Sequence, residues 1–165
     1  ADVAIRRKEP SQADLIRKRL MTVKMQLFAT QPYLDENGVP ERLDDLAHHR
    51  LICQNANSAQ VGAGSNLVQH LLTYDVKSLL TVNNYFGVLQ GVLQNLGVGI
   101  LPDYVSQDEP RIVHVLPEVE SADVPVFLAY PEELRQSKRI AAFRDFVQDE
   151  IIAYRKITPN ALEVG

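Results

Sequence analysis

The run from Asn83 to Val105, "NNYFGVLQGVLQNLGVGILPDYV", changes its hydrophobic period once, abruptly, and that change limits what the chain can build. Tyr85, Leu89, Val92 and Leu96 recur at helical spacing, with Phe86 and Leu93 alongside, so the spacing predicts an amphipathic helix. Either Asn83 or Asn84 suits its N-cap, and Gly97 stands where a left-handed C-cap residue is wanted. The continuous apolar "VGIL" that follows reads as a short buried strand. Pro102 cannot donate to a sheet and so ends that strand, while Pro102-Asp103 can open another short helix. A helix that passes through one turn into a buried strand belongs to an α/β protein.

Other segments fit that class. "DVAIR" (Asp2 to Arg6) is β-branched and bounded by a polar, Pro-containing turn, which predicts a strand. "TVKMQLFAT" (Thr22 to Thr30) sets Val23, Met25, Leu27 and Ala29 on one face against Lys24 and Gln26, a half-buried strand. "QPYLDENG", with Pro32 at its start and Gly38 at its end, predicts a short helix, and "ERLDDLAHH" a second one before the strand "RLICQ" (Arg50 to Gln54). Residues 55 to 66, "NANSAQVGAGSN", are rich in small residues and read as a loop or a turn over a ligand. "LVQHLLTYDVKSLLTV" is strand-like in two pieces. Strands follow at "RIVHVL" (Arg111 to Leu116) and "VPVFLAY" (Val124 to Tyr130). The final helix carries Ile140, Phe143, Val147 and Ile151 on one stripe behind Ser137, its N-cap candidate. Residues 156–165 are expected to be a frayed tail. Strands alternating with helices predict largely parallel pairing.

Composition closes off several classes of function. With 165 residues, 45% of them hydrophobic, the chain can bury a core of one domain or two small lobes. Its 17 basic residues face 21 acidic ones, a net charge of −4, and the basic residues are scattered apart from Arg6-Arg7-Lys8 and Arg17-Lys18-Arg19. A chain that neutralises phosphates by itself shows a basic surface, so direct DNA or RNA binding is not expected. Cys53 is the single cysteine, which excludes an internal disulfide and a cysteine-rich metal site and fits a reducing cytoplasm. No segment approaches the roughly 20 apolar residues of a membrane helix, and the first ten residues lack a signal-peptide layout. The expected location is cytoplasmic, with no membrane partner. The chain opens on an apolar alternation without an initiator Met, so a longer parent polypeptide is expected.

Catalytic and metal readings find little support. His48 and His49 adjoin on a helix and point about 100° apart, so they do not share a ligand face with Cys53. Asp44-Asp45 and Glu132-Glu133 sit beside helix starts, where carboxylates meet the helix dipole favourably. "GVGIL" follows a helix and precedes a strand, the reverse of a dinucleotide loop, and "GAGSN" lacks the lysine of a phosphate loop. No G-x-S-x-G nucleophile elbow is present. No catalytic residue, metal site or cofactor is expected. What remains is binding: the helix start at Asn83-Asn84 offers backbone N–H groups to an anion such as a carboxylate, and the two amide side chains can donate and accept beside it. The alternative is that one Asn only caps the helix.

Taken together, "DVAIR", "LFATQPYLDENGVPERLDDLAHHRLI", "NLGVGILPDYV", "FLAYP" and "AAFRDFV" resemble, in order and spacing from Asp2 to about Ile151, the effector-binding domain of the LysR-type transcriptional regulators. The resemblance implies a two-lobed α/β fold of the periplasmic-binding-protein type (type II), joined by two crossing strands, with a small-molecule cleft between the lobes. By this analogy residues 1–28 and 127–155 form a first, discontinuous lobe, 29–126 a second, and 156–165 the tail.

Carried over by position, the effector contacts would be Ile5 and Arg6 at the end of the first strand, and Val82, Asn83, Asn84 and Tyr85 at the helix start. Backbone around Ile100 and Pro102 would lie behind them. Arg6 suits bidentate pairing with a carboxylate, although a surface arginine just past a strand is an equal reading. The effector expected is an anionic metabolite, and the partner expected besides it is a second copy of the chain, in a homodimer or homotetramer. DNA would be bound only through a helix-turn-helix and linker helix that these residues do not include. The strand and helix that open the first lobe in this family are also not among them, so the first lobe is expected to be incomplete. Two rival functions remain open: a solute-binding protein of a transport system, which shares the two-lobed architecture, and a small α/β enzyme using Cys53 with a nearby His.

Overall fold

The computed structural model describes residues 3–6, 14–54, 78–119 and 123–155. The expected loop at 55–66, the first piece of the strand-like segment after it and the tail at 156–165 lie outside these residues. The chain divides into two compact units, one drawn from Ala1–Thr22 and Pro125–Gly165, the other from Val23–Val124.

In the first unit, β1 (Ala4–Arg6) pairs antiparallel with β7 (Asp123–Pro131), Ile5 opposite Leu128 and Arg6 opposite Phe127. Next to β7 runs β2 (Leu15–Thr30), which begins well before the expected Thr22. Arginine and lysine hide that first half in the sequence: Arg17 and Arg19 alternate with Ile16 and Leu20, whose side chains reach the core. That core is built from Leu128, Tyr130 and Ile140, the last on α4 (Lys138–Arg155). The predicted stripe of α4 is only partly used, because Ile140 is buried while Phe143 stays exposed at 38%. A 3-10 turn, η2 (Glu132–Leu134), joins β7 to α4.

The second unit is a mixed sheet. From Val23 to Thr30, β2 is buried on both faces toward its end, with Leu27, Phe28, Ala29 and Thr30 inside. Thr30 also ends the strand by capping α1 (Gln31–Asn37): its hydroxyl accepts from the Tyr33 N–H at 3.3 Å, and Pro32 occupies the first turn. Gly38, at φ 87°, closes α1 as expected. The second short helix is a 3-10 turn instead, η1 (Leu43–His48). The Asp45 carboxylate accepts from the N–H groups of Glu41 and Arg42, both at 2.9 Å, which fastens the entry of this turn.

β3 (Arg50–Gln54) lies between β4 (Ser78–Val82) and β5 (Val98–Pro102), parallel to both. β5 pairs antiparallel with β2, and β2 pairs antiparallel with β6 (Ile112–Val115) on its other side. Pairing is therefore mixed, not largely parallel. The strands β4 and β5 are linked by α2 (Tyr85–Leu93), which lays Val88 and Val92 on Phe28, Ile52 and Leu101. A four-residue helix, α3 (Val105–Asp108), follows β5.

The turn after α2 differs from its expected form. Asn95, at φ 60°, is the left-handed residue; its N–H bonds the Val92 carbonyl at 2.9 Å and the Leu96 N–H bonds that of Gly91 at 3.1 Å, a Schellman closure. Gly97 serves close packing: a Cβ there would lie 2.3 Å from the Arg50 carbonyl oxygen. Gly99 does the same on the helix side, where a Cβ would lie 2.3 Å from a Val92 methyl. The glycines of "LGVGIL" thus let β5 enter the sheet between β2 and β3 under α2.

Candidate functional site

The three parallel strands finish at one edge of the second unit's sheet. Gln54 stands opposite Val82 at the ends of β3 and β4, and β5 runs beside them to Leu101 and Pro102. In open α/β sheets the carboxyl edge of the parallel strands is where ligands bind. From Val82 the chain turns through Asn83 and Asn84 directly into the amino end of α2, so strand ends and helix start meet within a few residues.

Asn84 caps α2: its Oδ1 accepts from the Gly87 N–H at 2.9 Å. The capping reading therefore holds for Asn84, and Asn83 is the amide side chain left exposed beside it. The Asn83 carbonyl accepts from Nε2 of Gln54 at 2.9 Å, a bond that fixes the turn to the end of the neighbouring strand. Gln54 is 4% exposed, a polar residue closing an otherwise apolar strand. Tyr85 is half-buried and packs against the core with Val82, whereas Phe86 is 70% exposed. No acidic residue lies in the first turn of α2, so the partial positive charge of its amino end is not offset there. The arrangement suits a small anion held by amide donors.

The structure thus brings Val82, Asn83, Asn84 and Tyr85 into one turn. Ile100, 2% exposed, lies opposite Leu27 and Pro102 lies opposite Met25, both with their side chains inside the sheet. Ile5, 54% exposed, and Arg6 occupy β1 of the first unit. Gln54 was missed by the sequence reading, and its only signal is a polar side chain at the end of "RLICQ".

Cys53, His49 and Asp45 are each held by burial or by hydrogen bonds within the fold. Burial pushes the Cys53 thiol above its ordinary value, the reverse of an activated nucleophile. His49 is buried and its Nδ1 meets the Tyr33 hydroxyl at 2.7 Å. Burial lowers its pKa, with Asp45 opposing and His48 adding to that effect. Backbone N–H groups of Glu41 and Arg42 hold the Asp45 carboxyl below its ordinary value. Among the described residues, no group of three His, Cys, Asp or Glu side chains is placed to hold a metal, and no helix is long and apolar enough to cross a membrane.

Among solved structures, the regulatory domain of CrgA, a LysR-type transcriptional regulator from Neisseria meningitidis, superposes with a TM-score of 0.73 at 20% identity, over 90% of this chain and 74% of that one. The fold is therefore of the type II periplasmic-binding-like class, a mixed α/β sheet with helices. Residues 1–151 match the LysR substrate binding domain, and the chain belongs to that family.

Sequence relatives agree. An uncharacterized HTH-type transcriptional regulator of Haemophilus influenzae is 26% identical over 134 residues, 79% of this chain and 46% of its own length. A probable HTH-type transcriptional regulator, LtrA, of Klebsiella pneumoniae is 25% identical over 158 residues, 92% of this chain and 51% of its own length. The chain spans about half the length of these relatives. A regulatory domain of the LysR type is the reading these matches favour over a transport solute-binding protein.

Proposed function

We propose that this chain senses a small anionic metabolite, most readily a carboxylate, on behalf of a LysR-type transcription factor. The carrying observation is the edge where Gln54, Asn83 and the amino end of α2 meet: an exposed amide and an uncompensated helix start at the carboxyl ends of parallel strands. The Asn83 side chain would orient the anion, Asn84 would keep the first turn of α2 in place, and Val82 and Tyr85 would back the site.

In the same reading the effector redistributes subunit arrangements that differ in their affinity for it, which is how a bound metabolite reaches a distant DNA-binding element. DNA is contacted by a helix-turn-helix element like the one for which the relatives are named, the working assembly is a homo-oligomer, and the location is the cytoplasm. No catalytic step is assigned.

A thermal-shift screen of carboxylates and sugar phosphates tests this. A ligand at 100 times its Kd raises stability by about 2.7 kcal/mol, a readily measured shift. The expected result is stabilisation by at least one carboxylate, lost in Asn83→Ala. Stabilisation that survives this substitution would overturn the assignment of the site.

A further inference from the structure

A concave feature lies on the far side of β2 from β5. A groove of about 430 Å³ runs between β6 and α1 with the loop after it. Val113, His114 and Val115 all line it. Neighbouring residues of a strand face opposite sides of the sheet, so a groove that touches three in succession follows the edge of the strand. Among the described residues that edge has no strand partner, since the only strand beside β6 is β2. An open edge presents alternate N–H and C=O groups for pairing with another strand.

The backbone next to β6 is unusual. Leu116, bulky and 5% exposed, sits at φ 53°, a left-handed conformation that costs about 1–2 kcal/mol in a residue with a Cβ. The bond from the Val119 N–H to the Leu116 carbonyl, at 3.0 Å, keeps the turn in that form, and Leu116 to Glu118 close one end of the groove. Retained strain of this kind clusters at binding clamps.

The walls state what would fit. Val39, 62% exposed, and Val113 give the groove apolar sides. Its charged lining residues are Glu41 and Glu118, with no lysine or arginine. Partial desolvation lowers the pKa of His114, against the pull of Glu118.

We infer that the β6 edge receives an extended, basic segment of a partner protein, rich in β-branched residues, which adds to the sheet as a further strand. Main-chain bonds to β6 supply affinity, and alternate side chains supply selection: aliphatic ones toward Val39 and Val113, cationic ones toward Glu41 and Glu118. This inference uses neither α2 nor the effector edge and stands or falls separately from the proposed function.

Fluorescence polarisation of the full chain with a labelled Lys-Val-Lys-Val-Lys-Val peptide tests it. Three results are expected: saturable binding, loss of binding when Glu replaces every Lys, and weakening by about tenfold or more when every internal amide is N-methylated, which keeps the charge and removes the strand donors. The double variant Glu41→Gln, Glu118→Gln should weaken binding without lowering the melting temperature. Equal affinity for the N-methylated peptide would reduce the effect to charge alone and overturn the inference. So would no saturable binding at about 1 mM peptide, or sedimentation showing that copies of the chain already pair through this edge and exclude the peptide.

Discussion

Nε2 of Gln54 donates to the main-chain carbonyl of Asn83 at 2.9 Å, joining the last residue of β3 to the turn that starts α2. The bond lies where two register-matched parallel strands end, so it positions the exposed Asn83 side chain from a buried neighbour. Replacing Gln54 by Leu keeps the volume and removes the donor. A loss of about 0.5–1.5 kcal/mol is expected in urea unfolding, the net worth of a part-buried hydrogen bond whose acceptor water can reach. Effector-induced thermal shifts should also shrink in this variant, even when compared at equal distance below its own melting temperature.

Burial of His49, whose ring meets the Tyr33 hydroxyl, makes stability pH-dependent. Burial depresses the folded-state pKa of His49 below its ordinary 6.5, so between those two values the unfolded chain binds a proton that the folded chain does not. Stability therefore rises with pH across that window, is complete above about 6.5, and falls on acidification. His114 contributes in the same direction. Urea midpoints measured between pH 5 and 8 should fall on the acid side, and His49→Gln should flatten the curve. Tyr33→Phe should cost about 1–3 kcal/mol at neutral pH by stranding the imidazole.

Gly97, just before β5, and Gly99, within it, should respond unequally to alanine. At Gly97 the new methyl meets a backbone carbonyl, which cannot step aside; at Gly99 it meets methyls of Val92 and Val88, which can shift in part. Both substitutions are expected to destabilise by about 1–3 kcal/mol or more, Gly97→Ala the more severely. Val92→Ala should recover part of the loss in Gly99→Ala and none in Gly97→Ala, a double-mutant coupling that denaturant unfolding reads directly.

Legibility in the sequence followed the strength of local patterns. The spacing of Tyr85, Leu89 and Val92 announced α2, and Pro32 with Gly38 announced α1, because these signals are carried by neighbouring residues. The function of Gly97 was not readable, since its reason is the Arg50 carbonyl, 47 positions away along the chain. Asn95 took the left-handed role instead. The early half of β2 was concealed because Arg17, Lys18 and Arg19 are half-solvated strand residues whose long side chains look like a surface turn. At the site, Val82 to Tyr85 were legible as one helix start. Gln54 was not, because its importance is a bond to a turn on another strand.

Asn95 also offers a clean comparison of backbone cost. Its Oδ1 accepts from the Thr30 hydroxyl, so both Asn95→Gly and Asn95→Ala lose that bond. Only the alanine variant must also hold φ 60° with a Cβ. Asn95→Ala should be less stable than Asn95→Gly by about 1 kcal/mol, measured as a difference in urea midpoints at equal slope.

The most direct test of the central claim is amide chemical-shift mapping of isotope-labelled chain during titration with the carboxylate that stabilises it most. The largest saturable changes should fall on Gln54 and on Asn83 to Gly87, and they should vanish in Asn83→Ala. Changes confined to other surfaces, such as the groove beside β6, with the start of α2 unmoved at saturation, would contradict the claim.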